Sequence, residues 1–133
     1  MPEMQMLKSL LIGAVRYGVR LVPDLHYEDA EGRKRHLNGH ILHTEGQIKI
    51  EEELSPDMQL VTLWHEALHG ILTVAGHDDQ PENVIIPLGY GLVSLIRDNP
   101  ELVELTLRGR AEVTYARDAA DSNHRAPVSD GGC

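Results

Sequence analysis

Residues 55–76, SPDMQLVTLWHEALHGILTVAG, carry the marks of one long helix from cap to stop. Ser55 offers a hydroxyl to the first free amides, Pro56 suits the first helical position, and Asp57 complements the positive end. Gly76 supplies the left-handed residue that ends a helix. A helix of that length dictates much of a small fold, because the other elements must cover its apolar side. At about 100° per residue, Leu60, Val61, Trp64, Ala67, Leu68, Ile71, Leu72 and Ala75 form one broad apolar arc. His65 and His69 fall at its edge. Glu66 lies just beyond with Thr62 and Thr73, where more open surroundings are expected.

The other segments are shorter. Residues 7–12 and 15–22 are β-prone and separated by Gly13 and Ala14, which predicts a tight hairpin; a helix over residues 4–15 is the alternative. Residues 23–39, PDLHYEDAEGRKRHLNG, are polar and broken by Pro and Gly, so they read as a loop. HILHTEGQIKIEEEL, from residue 40, predicts a second hairpin. It turns at Glu45 and Gly46, and Ile48 and Ile50 share one face. QPENVIIPLGYGLVSLIRDN predicts a second helix with Pro81 near its start and Pro87 inside, where a kink or restart is expected. NPELVELTLRGRAEV predicts a third, with Asn99 as cap and Pro100 in the first position. The expectation is one α+β domain over residues 1–117, a small mixed or antiparallel sheet packed on the long helix with further helices C-terminal to it. A polar, Gly-rich disordered tail is expected over 118–133.

Composition narrows the function classes. The net charge is −9 and the only basic cluster is Arg33–Lys34–Arg35, which argues against a nucleic-acid surface. No run approaches the roughly 20 apolar residues of a membrane span. The single cysteine, Cys133, permits no intrachain disulfide, which suits a reducing compartment. A soluble, cytoplasmic protein is expected.

The long helix holds His65-Glu66-Ala67-Leu68-His69, the pattern HExxH. Residues four apart share a helix face, so both imidazoles can reach one ion, with a carboxylate beside them. A chain rich in His and Glu meets this pattern by chance in roughly a few per cent of cases. Its position at the core rim of the best-capped helix favours a zinc (Zn2+) site. Catalytic zinc usually takes a third protein ligand, and His77, Asp78, Asp79 and Glu82 all follow within reach of a returning chain. A helix continuing past Gly76 would carry His77 about 12 Å along the axis from His69. Glu82 is favoured, on condition that the connection folds back. His26, His36, His40, His43 and His124 suit ordinary surface or strand roles, though His40 or His43 could touch a substrate. Tyr90 could donate to an oxyanion or pack in the core.

The order strand, strand, NGHILHTEGQIKIEEELS, QLVTLWHEALHGIL, PENVIIPLGYGLVSLIRDNPELV resembles the small zincin-type metallopeptidases of phages and mobile elements, related to the ImmA/IrrE group. The resemblance spans residues 7–103. It implies a zincin-like fold of the gluzincin arrangement, with His65, His69 and Glu82 as zinc ligands and Glu66 as general base. The implied activity is peptide-bond hydrolysis by zinc-activated water. The implied partners are a peptide or protein substrate and, since no recruitment segment is recognisable, a protein partner for recruitment. Pro87 and Gly89-Tyr90-Gly91 depart from the pattern, standing where a smooth helix is implied. The competing reading is a non-catalytic zinc-binding structural or regulatory phage module; a metal-free scaffold is the third. The three-histidine rRNA-processing endoribonucleases do not fit, because their third histidine would fall at Ala75.

Overall fold

A computed structural model describes residues 7–108 and residue 116. The chain divides into two units, Met1–Asp98 and Asn99–Cys133. Among its described residues, the first is an α+β arrangement of six strands and two helices: β1 Ser9–Ile12, β2 Val15–Val22, β3 His26–Glu28, β4 Lys34–His36, β5 Gly39–Leu42, β6 Gln47–Glu51, α1 Pro56–Val74 and α2 Glu82–Asp98. The second contributes α3, Pro100–Leu107, which follows Asn99 with proline at its start as the sequence predicts. Residues 118–133, expected to form a tail, lie outside the described residues. Among the described residues, no helix is long and apolar enough to cross a membrane.

The main sheet is mixed, in the order β1-β2-β6-β5. Both expected hairpins form: β1 pairs β2 and β5 pairs β6, each antiparallel. Gly13 and Gly46 supply the left-handed backbone of their turns (φ 59° and 61°). The sheet closes by a parallel pairing of β2 with β6, which places β6 centrally and leaves β5 on the edge. Ile48 (0% exposed) and Ile50 point inward as their alternation predicts, joining Ile12, Tyr17 and Ala67 in the core. Full burial of a side chain such as Ile48 stabilises by roughly 1.5–3 kcal/mol.

The predicted loop at residues 23–39 instead contains a small hairpin, β3–β4, with His26 opposite His36 and Glu28 opposite Lys34. No apolar alternation announces it, because its cohesion is polar. The Asp29 carboxylate accepts from the Glu31 and Arg33 amides and pairs with Arg33 and Arg35, while Lys34 pairs with Asp24. The basic cluster is thus engaged by acids of its own hairpin.

Helix α1 is capped as expected: the Met58 amide donates to Ser55 Oγ at 3.3 Å, and Pro56 opens the helix. It ends in a Schellman motif, with His77 N donating to Leu72 O, Gly76 N donating to Thr73 O, and Gly76 left-handed at φ 84°. Helix α2 returns alongside it, and Arg97 near its end reaches Asp57 in the first turn of α1. Pro87 does not restart α2, which runs from Glu82 to Asp98. The proline removes one intrahelical donor near the N-terminus, and packing of Ile85, Gly89 and Val93 offsets that loss.

Gly89 is where the helices meet closely. A Cβ there would lie 3.5 Å from His65 Cβ, an ordinary contact. Alanine also favours a helix interior over glycine by about 1 kcal/mol. Gly89→Ala is therefore expected to raise stability by a few tenths to about 1 kcal/mol, read by urea unfolding. A loss of more than about 1 kcal/mol would show that the helices cannot tolerate the added methyl.

Candidate metal centre

The environment of α1 differs from its helical-wheel reading in one decisive respect. Glu66 is buried (7% exposed), as is Thr62, whereas Ile71 of the expected core arc is 48% exposed. The cause is close approach of the sheet to the stripe Thr62, Glu66, Gly70. A Cβ on Gly39 would lie 2.5 Å from Thr62 Cγ2 and 3.0 Å from Glu66 Cγ. A Cβ on Gly70 would lie 2.8 Å from Ile12 Cδ1. Two glycines, one on each partner, let the polar stripe lie against the sheet. The arc that hydrophobicity alone assigns to the core is left partly open.

On the neighbouring face, His65 and His69 turn their Nε2 atoms to one point, 3.2 Å apart. The first residue of α2 meets them there. Glu82 Oε2 is 3.1 Å from His65 Nε2, and Glu82 Oε1 is 2.8 Å from His69 Nε2. Ligands held tetrahedrally at zinc's bond lengths stand roughly 3.3 Å from one another. The three groups therefore need to open by only a few tenths of an ångström. Among the described residues, His65, His69 and Glu82 form a group that can hold a metal ion. His77, Asp78 and Asp79 are exposed and outside it, although the sequence leaves them open as third ligands. Glu82 reaches the histidines because Gly76 reverses the chain and residues 77–81 fold back along α1.

Burial holds the His65 imidazole below its ordinary pKa, against the opposing pull of the Glu82 carboxylate. That favours the neutral ring a metal requires. Burial raises Glu66 to about 7, and the nearby Glu82 charge adds to the rise; His69 and a hydrogen bond from the Ile41 backbone oppose it. A carboxylate poised near neutrality beside two imidazoles is suited to accept and release a proton.

Two openings reach this point. One, about 500 Å³, is lined by Leu37, Met58, Val61, Ile86 and Tyr90 together with His65, Glu66 and Glu82. The other, about 260 Å³, runs past His40, Ile41, His43, His69 and Gln80. Gly39, Glu66 and Glu82 border both, so the edge strand β5 flanks the ligand group on two sides. His40 and Tyr90 stand at the openings; Tyr90 is half exposed, its hydroxyl 3.7 Å from Met58 Sδ, and is not a core residue. His43 has a structural setting, between Tyr17 OH (3.2 Å) and Thr73 Oγ1 (3.4 Å).

Gly39, Thr62 and Gln80 were not apparent from the sequence as parts of the site. For Thr62 a signal exists in retrospect: small or polar residues at 62, 66 and 70 mark a helix face that something approaches closely. Gly39 looks like a turn residue after Asn38, and Gln80 looks like any polar loop residue.

Gly39→Ala is expected to lower stability by about 1–3 kcal/mol, since Thr62 is buried and cannot withdraw from the added methyl. Thr62→Ala in the same chain should restore part of the loss, because it removes the clashing methyl. Metal affinity should stay within about threefold, as the atoms nearest to the added methyl belong to Thr62 and Glu66 rather than to His65, His69 or Glu82. A double variant no more stable than Gly39→Ala would refute the contact.

No family model, curated protein or solved structure matches the chain.

Proposed function

We propose that this chain is a zinc-dependent metallopeptidase with a zincin-like fold. His65, His69 and Glu82 would hold Zn2+ and Glu66 would serve as the general base. The observation that carries the reading is the convergence of two Nε2 atoms and a carboxylate from separate helices, beside a second, buried carboxylate and an open cleft. Bound zinc would supply Lewis-acid polarisation of a carbonyl and acidify water. Glu66 would take a proton from the attacking water and deliver it to the leaving amine. Burial raises its pKa in the metal-free protein, and a bound cation would draw it back toward the ionised form that a base requires. The free side of β5 can pair with an extended peptide backbone, and the Tyr90 hydroxyl can turn toward a developing oxyanion.

The test is a zinc-loaded peptide-library digest with wild-type protein and Glu66→Gln. Cleavage by the wild type, lost by at least about 100-fold in Glu66→Gln with zinc retained, supports the reading. Zinc bound by both proteins with no cleavage by either would leave the non-catalytic zinc-binding module.

A further inference from the structure

Gln80 sits in the connection between α1 and α2, two residues before Glu82, and makes a direct polar contact to His69 on the other helix. Its Oε1 is 2.8 Å from His69 Nδ1. Its Nε2 donates to Thr73 Oγ1 at 2.9 Å and to the His77 carbonyl at 2.6 Å. The second contact fixes the amide's orientation. A carbonyl oxygen can only accept, so the NH2 end must face His77, and the amide oxygen must face His69. An oxygen acceptor demands a proton on His69 Nδ1. In the neutral ring that leaves a lone pair at Nε2, facing the Glu82 oxygen at 2.8 Å and His65 Nε2 at 3.2 Å, and a lone pair and a carboxylate oxygen can share that point only through a cation between them.

Thr73 itself is held in this position. Its hydroxyl lies 3.4 Å from His43 Nε2, and His43 Nδ1 lies 3.2 Å from the hydroxyl of the buried Tyr17. The chain of contacts anchors Gln80 in the sheet as well as in α1. A flexible loop amide would gain nothing by that anchoring; an amide that must aim its oxygen at one ring nitrogen would.

We infer that Gln80 is a positioning residue that sets the tautomer and ring orientation of His69, so that Nε2 faces the metal. This inference rests on the zinc reading for its purpose. A neutral acceptor here also differs in effect from a carboxylate: it orients the ring without adding a second negative charge behind it.

Two near-isosteric variants separate this role from simple stapling of the loop. Gln80→Met removes both the acceptor and the donors. Gln80→Glu keeps an acceptor toward His69 and loses the donors toward Thr73 and His77. Zinc affinity is measured by chelator competition, and the protonation of His69 Nδ1 by ring 15N NMR of chelator-treated protein at pH 8. Gln80→Met should weaken zinc binding by about 10–100-fold. Gln80→Glu should stay within about threefold of wild type. Nδ1 should be protonated in wild type and in Gln80→Glu, and only partly so in Gln80→Met.

If Gln80→Glu binds zinc as poorly as Gln80→Met, the residue is a loop staple and the inference fails. A wild-type His69 lacking a proton on Nδ1 overturns it equally. If the wild type binds no zinc, the zinc reading fails, while the Nδ1 measurement still decides whether Gln80 orients His69.

Discussion

Replacing His65 or Glu82 with alanine is expected to weaken zinc binding by more than about 100-fold and to erase the thermal protection that zinc gives the wild-type chain. Residues that only hydrogen-bond a metal-holding side chain are worth roughly 10–100-fold in affinity, and a direct ligand exceeds that. Zinc at 100 times its dissociation constant stabilises a folded protein by about 2.7 kcal/mol. A variant whose affinity has dropped about 1,000-fold gains almost nothing at the same concentration. His77→Ala, Asp78→Ala and Asp79→Ala should keep near wild-type affinity, because these residues lie outside the ligand group. Zinc titration with calorimetry and melting curves in parallel checks both halves. Equal affinity in wild type and Glu82→Ala would remove Glu82 from the site despite its contacts of 2.8 and 3.1 Å.

The second large effect concerns Glu66 in zinc-free protein. Its folded pKa, about 7, exceeds its ordinary value of 4.5 because burial disfavours the charged form. The folded state therefore holds a proton that the unfolded state releases. This contribution to stability is fully present below about pH 4.5 and is lost as pH rises through 7, by roughly 3 kcal/mol. His65 acts in the opposite direction: its lowered pKa costs stability as pH falls below the ordinary imidazole value. Both proteins carry His65, so the difference between wild type and Glu66→Gln isolates Glu66. Glu66→Gln should match wild type near pH 4.5 and exceed it by up to about 3 kcal/mol at pH 8, by urea unfolding with chelator present. A constant difference across that range would show that Glu66 ionises without hindrance.

The sequence was most informative where local chemistry decides structure. Ser55, Pro56 and Gly76 bound α1 through their own backbone and capping preferences, and the alternation of Ile48 and Ile50 predicts their burial. HExxH predicts two converging imidazoles because helical geometry alone brings residues 65 and 69 together. Glu82 is a different case. Its arrival depends on the turn at Gly76 and on the fold-back of residues 77–81, which spacing allows and does not require. The burial of Glu66 is not legible in the sequence, because hydrophobic periodicity assumes one covered face. Here α1 is covered on two flanks, by the sheet and by α2, and the glycines at 39 and 70 decide which flank the sheet meets. The β3–β4 hairpin is hidden for a related reason: ion pairs from Asp24 and Asp29 hold it, and they leave no apolar alternation.

The direct test of the central claim is the zinc content of the purified wild-type protein, measured by elemental analysis after exposure to zinc and removal of the excess. About one zinc per chain, lost on chelation and absent from His65→Ala, is the expected result. No bound zinc in wild type, even after refolding with the metal, would contradict the account and leave HExxH a coincidence on a well-capped helix.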